Sequence, residues 1–215
     1  MLDLFGNEIE EIQPKKKKDW VGGNASVFIS IGASNHSETD RQEDDYYATD
    51  PIAIDKLLSA GAVINQNIWE CACGGGHLAK RLCDKGYKVY ATDIVDRGYG
   101  KSGMDFLKQT EKFDGDILTN PPYKFAINFV EQALNLIENG HKVFMLLKLT
   151  FLESKSRKEF FLKHPPKCIY VFSERLLCAK NGDFEKMIAD GGSAVCYAWF
   201  EFEKGFCGNP IIKWI

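Results

Sequence analysis

Short apolar runs, separated by polar, glycine-rich or amphipathic stretches, fill most of the chain from residue 51 onward. Apolar runs of about four to eight residues bounded by turn residues are typical of buried strands. The pattern predicts strands at NIWECAC (67–73), YKVYATDI (87–94), FDGDILTN (113–120), HKVFMLLKL (141–149), CIYVFS (168–173) and SAVCYAWFEFE (193–203).

Between these strands, apolar residues recur at helical spacing. In FAINFVEQALNLIENG (125–140), residues such as Phe129, Ala133 and Leu134 repeat with the period of an amphipathic helix. Three more helices are predicted: 51–61, which begins with Pro51; 74–86, which follows a glycine turn; and 154–164, which is rich in charge.

Strands and helices alternate through the middle of the chain, which predicts an α/β protein with a mostly parallel sheet and helices on both faces. The last two strands have no helical pattern between them, so we expect them to pair antiparallel. Residues 26–31 are predicted to be a further short strand and residues 32–50 a polar loop. Residues 1–45 are interpreted as an N-terminal tail with a lid-like segment, and residues 46–215 as the folded domain.

Composition narrows the functional class only slightly. No apolar run reaches the roughly 18 residues needed to span a bilayer, and the N-terminus has no signal pattern, so we expect a cytoplasmic protein. The odd number of cysteines, seven, and the missing secretion signal favour reduced thiols, and the absence of a C-x-x-C pair argues against a zinc site. The net charge of −3 is unusual for a nucleic-acid binder, although residues 148–167 carry a local basic excess.

A glycine turn (74–76) joins the first of the six strands to a helix, as in many nucleotide-binding sites. Asp93 ends the next strand, where a carboxylate can accept both hydroxyls of a ribose. A nicotinamide cofactor remains an alternative at this point. However, Glu70 precedes the glycines, where it would repel a pyrophosphate but suit a cationic sulfonium or ammonium group. Asp105 is placed to accept from an adenine amine while Phe106 packs against the ring.

The tetrad Asn120-Pro121-Pro122-Tyr123 follows the third predicted strand, at the edge of the sheet where ligands bind. Proline fixes φ, lacks an N–H and restricts the residue before it, so Asn120 is held rigidly with no local N–H competing for its acceptors. We expect the Asn120 side-chain oxygen and the Pro121 carbonyl to accept the two hydrogens of an NH₂ group. A plain strand-ending turn is the alternative, and the upstream cofactor signals argue against it.

With these motifs in this order, the chain resembles S-adenosylmethionine-dependent amino-methyltransferases of the DNA adenine-N6 and cytosine-N4 type. The tetrad matches their catalytic motif, and Glu70-x-Ala72-x-Gly74-x-Gly76 matches their cofactor motif. The resemblance implies a Rossmann-like seven-stranded methyltransferase fold with an antiparallel last strand, S-adenosyl-L-methionine as cofactor, and no metal. Small phage and prophage adenine methylases often have this compact form.

The resemblance also implies roles for single residues. DDYYATDP (44–51) resembles the motif that holds the methionine end of the cofactor, with Thr49 and Pro51 as its carriers. The positions of Asp93 and Asp105 correspond to the ribose and adenine contacts of the family. Cofactor contacts are therefore expected from Thr49, Pro51, Glu70, Cys71, Ala72, Gly74, Gly76, Asp93, Ile94, Asp105, Phe106 and Asn120.

The implied reaction is direct transfer of a methyl group to the amine of a flipped base, without a cysteine nucleophile. Catalysis is expected from Asn120 to Tyr123, with Tyr123 stacking on the base. Recognition of the target is expected from a small element within about residues 150–193. Further substrate contacts are expected from Lys148, Lys155, Arg157 and Lys158. The expected partner is DNA, with RNA as an alternative, and the expected state is a monomer or weak homodimer.

Several alternatives stay open. Adenine in RNA, cytosine N4 in DNA and a protein glutamine all present a planar NH₂ group, and the tetrad does not separate them. A non-catalytic nucleic-acid-binding module is an alternative from another class, against which the intact tetrad argues. His77 either simply begins a helix or also neighbours the cofactor.

Overall fold

The computed structural model describes residues 46–215, so the predicted tail and lid-like segment (1–45) and the strand at 26–31 lie outside the described residues. The described strands are β1 (Tyr47–Thr49), β2 (Asn67–Glu70), β3 (Lys88–Ala91), β4 (Asp116–Thr119), β5 (Lys142–Lys148), β6 (Cys168–Val171), β7 (Cys178–Lys180), β8 (Tyr197–Glu203) and β9 (Ile211–Trp214). The described helices are α1 (Ile52–Ser59), α2 (His77–Asp84), α3 (Ala126–Leu136), α4 (Lys155–Lys163) and α5 (Phe184–Ala189).

Seven of these strands form one sheet, in the order β3-β2-β4-β5-β8-β6-β9. Strands β3, β2, β4 and β5 are mutually parallel. Helices α2 and α3 form the crossovers from β2 to β3 and from β4 to β5, whereas a loop with one short 3-10 turn (Phe106–Lys108) connects β3 to β4. Strand β8 runs antiparallel to both β5 and β6, whereas β9 is parallel to β6. The predicted mostly parallel sheet of seven strands is confirmed. The strand expected to be the last, at 193–203, is the antiparallel β8, but it is followed by β9, so the last strand of the sheet is not antiparallel to its neighbour.

Side chains alternate between the two faces of the central strands and build two apolar layers. On one face, Trp69 and Ile117 pack with α3 and α4. On the other face, Ile68 and Leu118 pack with α1 and α2. The indole N–H of Trp199 in β8 also donates to the Ala53 carbonyl of α1 (3.0 Å), which fixes that helix on the sheet. Both faces of the central strands are therefore covered, as their near-continuous apolar sequences require.

Some short elements were not predicted from the sequence. Strands β1 and β7 pair antiparallel as a separate two-stranded sheet, so the prediction of a polar loop over 32–50 is wrong for Tyr47–Thr49. Strand β9 supplies the seventh strand of the main sheet, and α5 lies in the segment between β7 and β8. Strands of three or four residues contain too few positions to establish an alternating pattern. Within the described residues, none of the helices is long and apolar enough to cross a bilayer.

Candidate active site

The carboxyl ends of β2, β3 and β4 lie side by side, because β2 sits between β3 and β4 in the parallel part of the sheet. Three predicted site residues therefore converge at this edge: Glu70 ends β2, Asp93 follows β3, and Asn120 follows β4. The loops at this edge contain the glycine turn and the proline pair. Motifs that are separate in the sequence thus come together at the edge of the sheet where ligands usually bind in open α/β proteins.

The glycine turn is covered by two aromatic rings. Gly74 and Gly76 have φ values of +53° and +79°, and a Cβ atom at either position would collide with the ring of Tyr46 or Tyr99, respectively. Tyr46 also accepts from the Gly75 N–H (2.9 Å) through its hydroxyl. The glycines are therefore needed for these side-chain contacts as well as for the turn. The sequence motif that contains Tyr46 does not by itself indicate this contact.

His77 begins α2, as predicted, and links this helix to Tyr46. Its Nδ1 atom lies 3.0 Å from the Tyr46 hydroxyl, and its ring packs edge-on against Phe184 of α5 at 5.7 Å. Burial lowers the pKa of His77, and nearby Lys80 lowers it further. The guanidinium of Arg97 lies over the Tyr46 ring, 4.6 Å from its centre. Tyr46 is thus fixed in place from several sides.

Glu70 is a buried acid at the end of β2, with 2 % of its surface exposed. Its Oε2 atom has no hydrogen-bond partner among residues 46–215. Burial raises the pKa of this carboxyl well above its usual value, the charge of Asp93 adds to that shift, and a hydrogen bond from the Ala79 backbone opposes it. A cationic group placed beside Glu70 would lower the pKa again and pair with the open oxygen.

Asp93 and Asp105 both accept backbone N–H groups. Asp93 accepts from Gly74 (2.8 Å) and Val95 (2.9 Å), one bond for each carboxylate oxygen, which holds the turn after β3 against the glycine turn. Each of these oxygens keeps a second lone pair for a ligand hydroxyl. Asp105 accepts from the Leu107 N–H (3.1 Å) and pairs with Lys108 Nζ (3.0 Å).

The apolar neighbours of these acids differ from each other. The Ile94 side chain is 62 % exposed beside Asp93, where it can cover one face of a planar ring. Phe106 is only 2 % exposed, with its ring 5.3 Å from Trp69 in an edge-on contact. The predicted packing of Phe106 against an adenine ring therefore does not fit this structure, because the core already holds that ring.

Cys71 and Ala72 also face inward. The Cys71 thiol is buried in the same apolar layer as Trp69, and Ala72 packs against that layer. Because the Cys71 side chain is buried, any ligand contact by Cys71 falls to its backbone. Burial raises the pKa of the Cys71 thiol well above its usual value, and that of Cys73 to about 12, so neither forms a thiolate at neutral pH. All seven cysteines of the chain are free thiols.

Asn120 lies directly after β4 and contacts Thr49 at the end of β1. Its side-chain Nδ2 donates to Thr49 Oγ1 at 2.9 Å. Its Oδ1 atom is buried and accepts no hydrogen bond from the described part of the chain. The Pro122 carbonyl is occupied by the Phe125 N–H (2.8 Å), which leaves the Pro121 carbonyl as the second acceptor foreseen from the sequence. Pro51 begins the turn into α1, with φ −55°, two residues after Thr49.

Tyr123 extends from the proline pair into a cluster of hydroxyl and thiol groups. Its hydroxyl is buried beside the side chains of Tyr197 and Asn120, although no described residue makes a hydrogen bond of normal geometry with it. Burial raises the pKa of this hydroxyl well above its usual value. Its ring centre lies 6.1 Å from that of Tyr197, and the Lys148 ammonium lies 5.0 Å above the ring. Cys178 borders the same cluster. Sequence analysis did not identify Cys178 or Tyr197, because no local motif marks them.

The basic residues predicted to contact the substrate fall into two groups. Lys148 ends β5 beside Tyr123, whereas Lys155, Arg157 and Lys158 lie on α4. Arg157 donates to the carbonyls of Thr150 (2.7 Å) and Glu153, and its guanidinium packs over the Phe151 ring. Arg157 therefore stabilises the start of α4, whereas Lys155 and Lys158 on the same helix are exposed. No group of three or more His, Cys, Asp or Glu side chains in residues 46–215 is arranged to hold a metal.

No protein-family model and no curated protein matches the sequence. Solved structures do match the fold. A protein from Pyrococcus horikoshii described as an RNA methyltransferase is 13% identical, with a TM-score of 0.53 over 86% of this chain and 100% of its own. A protein from Listeria monocytogenes described as a class I S-adenosylmethionine-dependent methyltransferase is 13% identical, with a TM-score of 0.50 over 77% of this chain.

A protein from Vibrio vulnificus described as a modification subunit of a type I restriction enzyme is also 13% identical, with a TM-score of 0.52 over 82% of this chain. The chain spans 62% of the Listeria protein and 48% of the Vibrio protein. At this low identity the likeness concerns the fold alone. The chain therefore has the Rossmann-like fold of these methyltransferases.

Proposed function

We propose that this protein transfers a methyl group from S-adenosyl-L-methionine to the N6 amine of adenine in DNA. The observation that carries the proposal is the hydrogen bonding of the Asn120 side-chain amide. Its Oδ1 is buried and unpaired within the described chain, while Thr49 holds the other end of the amide. A buried acceptor without a hydrogen bond of normal geometry is suited to receive a donor from a ligand, and an amine N–H is such a donor.

The residues at this edge of the sheet carry the polar and apolar groups that the cofactor would need. Asp93 retains lone pairs for ribose hydroxyls, and the exposed Ile94 offers an apolar surface to the adenine ring. The open oxygen of Glu70 suits a positive charge. When bound, S-adenosyl-L-methionine supplies an electrophilic methyl group. Asp105 is a further acceptor at this edge, and Gly74 to Gly76, with the ring of Tyr46, form the wall beside Glu70.

The chain acts on the amine through positioning and charge. The lone pair of an aromatic amine is conjugated with its ring and is poorly nucleophilic. Asn120 Oδ1 and the Pro121 carbonyl would each accept one N–H, which favours a tetrahedral nitrogen with its lone pair free. The same two acceptors stabilise the positive charge that develops on nitrogen. The thiols of Cys71 and Cys73 take no part, since burial keeps them protonated.

The substrate assignment rests on the ring of Tyr123 and the cations near it. A base in a duplex must leave the stack to reach a buried site, and an aromatic ring at the entrance can stack on it. Lys148 lies at this ring, and Lys155 and Lys158 on α4 supply exposed positive charge for phosphates. The segment within 150–193, which includes β7 and α5, is the proposed recognition element.

The test is transfer of labelled methyl to duplex DNA, RNA and a protein extract, with Asn120→Ala as the control. Label recovered from DNA as N6-methyladenine, and lost in the variant, supports the proposal. Label on RNA, on cytosine N4 or on glutamine keeps the chemistry and replaces the substrate. Binding of nucleic acid without transfer to any of these acceptors would instead favour a non-catalytic binding module.

A further inference from the structure

Thr49 has a different place from the one its sequence motif implies. The resemblance assigns it to the methionine end of the cofactor, but its side chain is 3 % exposed and its Oγ1 accepts from Asn120 Nδ2 at 2.9 Å. The two residues are 71 positions apart in the chain, so the fold brings them together. The Thr49 hydroxyl is therefore engaged with the proposed catalytic amide.

An asparagine side chain has two chemically different ends. Its oxygen only accepts hydrogen bonds and its nitrogen only donates them. A half-turn about the terminal bond would exchange the two ends and place an N–H group where the proposed function needs an acceptor. Because the Thr49 oxygen accepts from Nδ2, the Asn120 oxygen is the end left over for a substrate amine.

The Cys178 thiol on β7 explains why the Thr49 oxygen acts as an acceptor toward Asn120. A hydroxyl has a single hydrogen, and the Cys178 thiol lies against the hydroxyl groups of Thr49, Tyr123 and Tyr197. In the two-stranded sheet, Thr49 and Cys178 are directly paired in register. The sulfur can take the Thr49 hydrogen, which turns the oxygen lone pairs toward Asn120. Strand β7 thus supports the contact from behind.

We propose that Thr49 is a positioning residue that sets the orientation of the Asn120 amide for methyl transfer, and that β7 supports it through Cys178. The inference rests on the proposed function, and it assigns to Thr49 a role toward Asn120 in place of a contact with the cofactor. It also makes β7, which lies within the proposed recognition element, part of the catalytic framework.

The experiment compares Thr49→Val, which keeps the shape and removes the hydroxyl, with the matched control Thr49→Ser, which keeps the hydroxyl. We expect kcat of the valine variant to fall about 10- to 100-fold, while the dissociation constant for S-adenosyl-L-methionine, measured by titration calorimetry, stays within about twofold. The serine variant should keep kcat within about threefold. In an Asn120→Ala background, the valine substitution should cause no further loss.

Two outcomes would overturn the inference. A Thr49→Val variant with at least tenfold weaker cofactor binding and unchanged kcat would make Thr49 a cofactor contact. A valine variant that matches the wild type in kcat and cofactor binding would remove any role in the reaction. Thermal unfolding of both variants excludes a general loss of fold as the cause of lower activity.

A second readout is independent of activity. The side-chain amide signals of Asn120, assigned by NMR from their absence in Asn120→Ala, should show one hydrogen protected from exchange in the wild type and in Thr49→Ser. That protection should disappear in Thr49→Val. If the wild type transferred no methyl group, the proposed function would fail, while these signals would still report whether Thr49 orients the amide. Equal protection in the valine variant would contradict the inference by itself.

Discussion

The main sheet has a carboxyl edge, where its parallel strands end, and an amino edge, where they begin. The two edges differ in whether their buried polar side chains are hydrogen-bonded. At the carboxyl edge, the unpaired buried side-chain atoms among residues 46–215 are Glu70 Oε2, Thr119 Oγ1, Asn120 Oδ1 and Tyr123 OH. At the amino edge, the buried carboxylate of Asp116 accepts from the backbone N–H groups of Asn65 and Lys142, both at 2.8 Å. Burial raises the pKa of the acid at each edge. What differs is whether the acid is fully paired.

The amino edge shows what a purely structural polar network looks like in this fold. Glu201 accepts from the Tyr170 hydroxyl (2.7 Å) and pairs with Lys142 (3.3 Å), and His141 lies 3.5 Å from Asp116. A cavity of about 370 Å³ opens there, yet its lining acid Asp116 is fully paired. Buried polar groups left unpaired cost free energy, so their concentration at the carboxyl edge indicates a site for ligands.

The largest expected effect is at Asn120. Asn120→Ala should lower the single-turnover rate of methyl transfer about 100- to 1,000-fold, because it removes the acceptor for the developing charge. Cofactor affinity, measured by calorimetry, should change less than about threefold. A variant that transfers methyl at the wild-type rate would disprove the proposed catalytic role of the tetrad.

The next effect tests the opposite edge. Asp116→Ala should lower the free energy of unfolding by roughly 1–3 kcal/mol, because two backbone N–H groups lose their acceptor. Chemical denaturation measures this change, and calorimetry should show unchanged cofactor affinity in the folded variant. Weaker cofactor binding would mean that the amino edge also belongs to the ligand site.

Substitution of Glu70 should change the free energy of unfolding in the opposite direction from substitution of Asp116. Its folded-state pKa is raised, so its contribution to stability is fully present below the unfolded pKa and is lost as pH rises through the folded pKa. Glutamine carries no charge to bury, so Glu70→Gln removes this loss. We expect the free energy of unfolding of the variant to be about 1 kcal/mol higher than that of the wild type at neutral pH, and the difference should shrink toward pH 4. Denaturation across pH checks this; a less stable variant at neutral pH would show that Glu70 is satisfied.

The smallest effect concerns α4. Lys155→Ala and Lys158→Ala should each weaken DNA binding about two- to fivefold at low salt, and less at high salt, because each removes one phosphate contact. Lys88→Ala is the matched control, since Lys88 is exposed at the amino end of β3 on the opposite edge. Equal losses in all three variants would indicate an unspecific charge effect and argue against α4 as a DNA contact.

The sequence predicted the parts of the site that local patterns encode. Apolar runs located β2, β3 and β4, and parallel strands place their carboxyl ends together, so Glu70, Asp93 and Asn120 were expected at one edge, where the structure places them. Their chemical roles remain predictions. The antiparallel pairing of β6 and β8 was expected as well, because no helical pattern was recognised between those two strands, and the structure confirms it.

The sequence did not predict contacts between distant, irregular segments. Thr49 meets Asn120 and Cys178 only because β1 and β7 pair, and strands of three residues leave no periodic signal. Phe106 faces the core because of its packing against Trp69, which the local order of residues does not encode. Tyr46 covers Gly74 across a turn that begins almost 30 residues later. Tertiary packing decides such contacts.

The most direct measurement is the thermal unfolding of the wild type, Glu70→Gln and Asp116→Asn, with and without S-adenosyl-L-methionine. At about 100 times its dissociation constant, the cofactor should stabilise the wild type and Asp116→Asn by about 2.7 kcal/mol, which corresponds to a Tm increase of roughly 5–10 °C. Glu70→Gln should show little increase. Equal stabilisation of all three, or none of the wild type, would contradict the assignment of the carboxyl edge as the cofactor site.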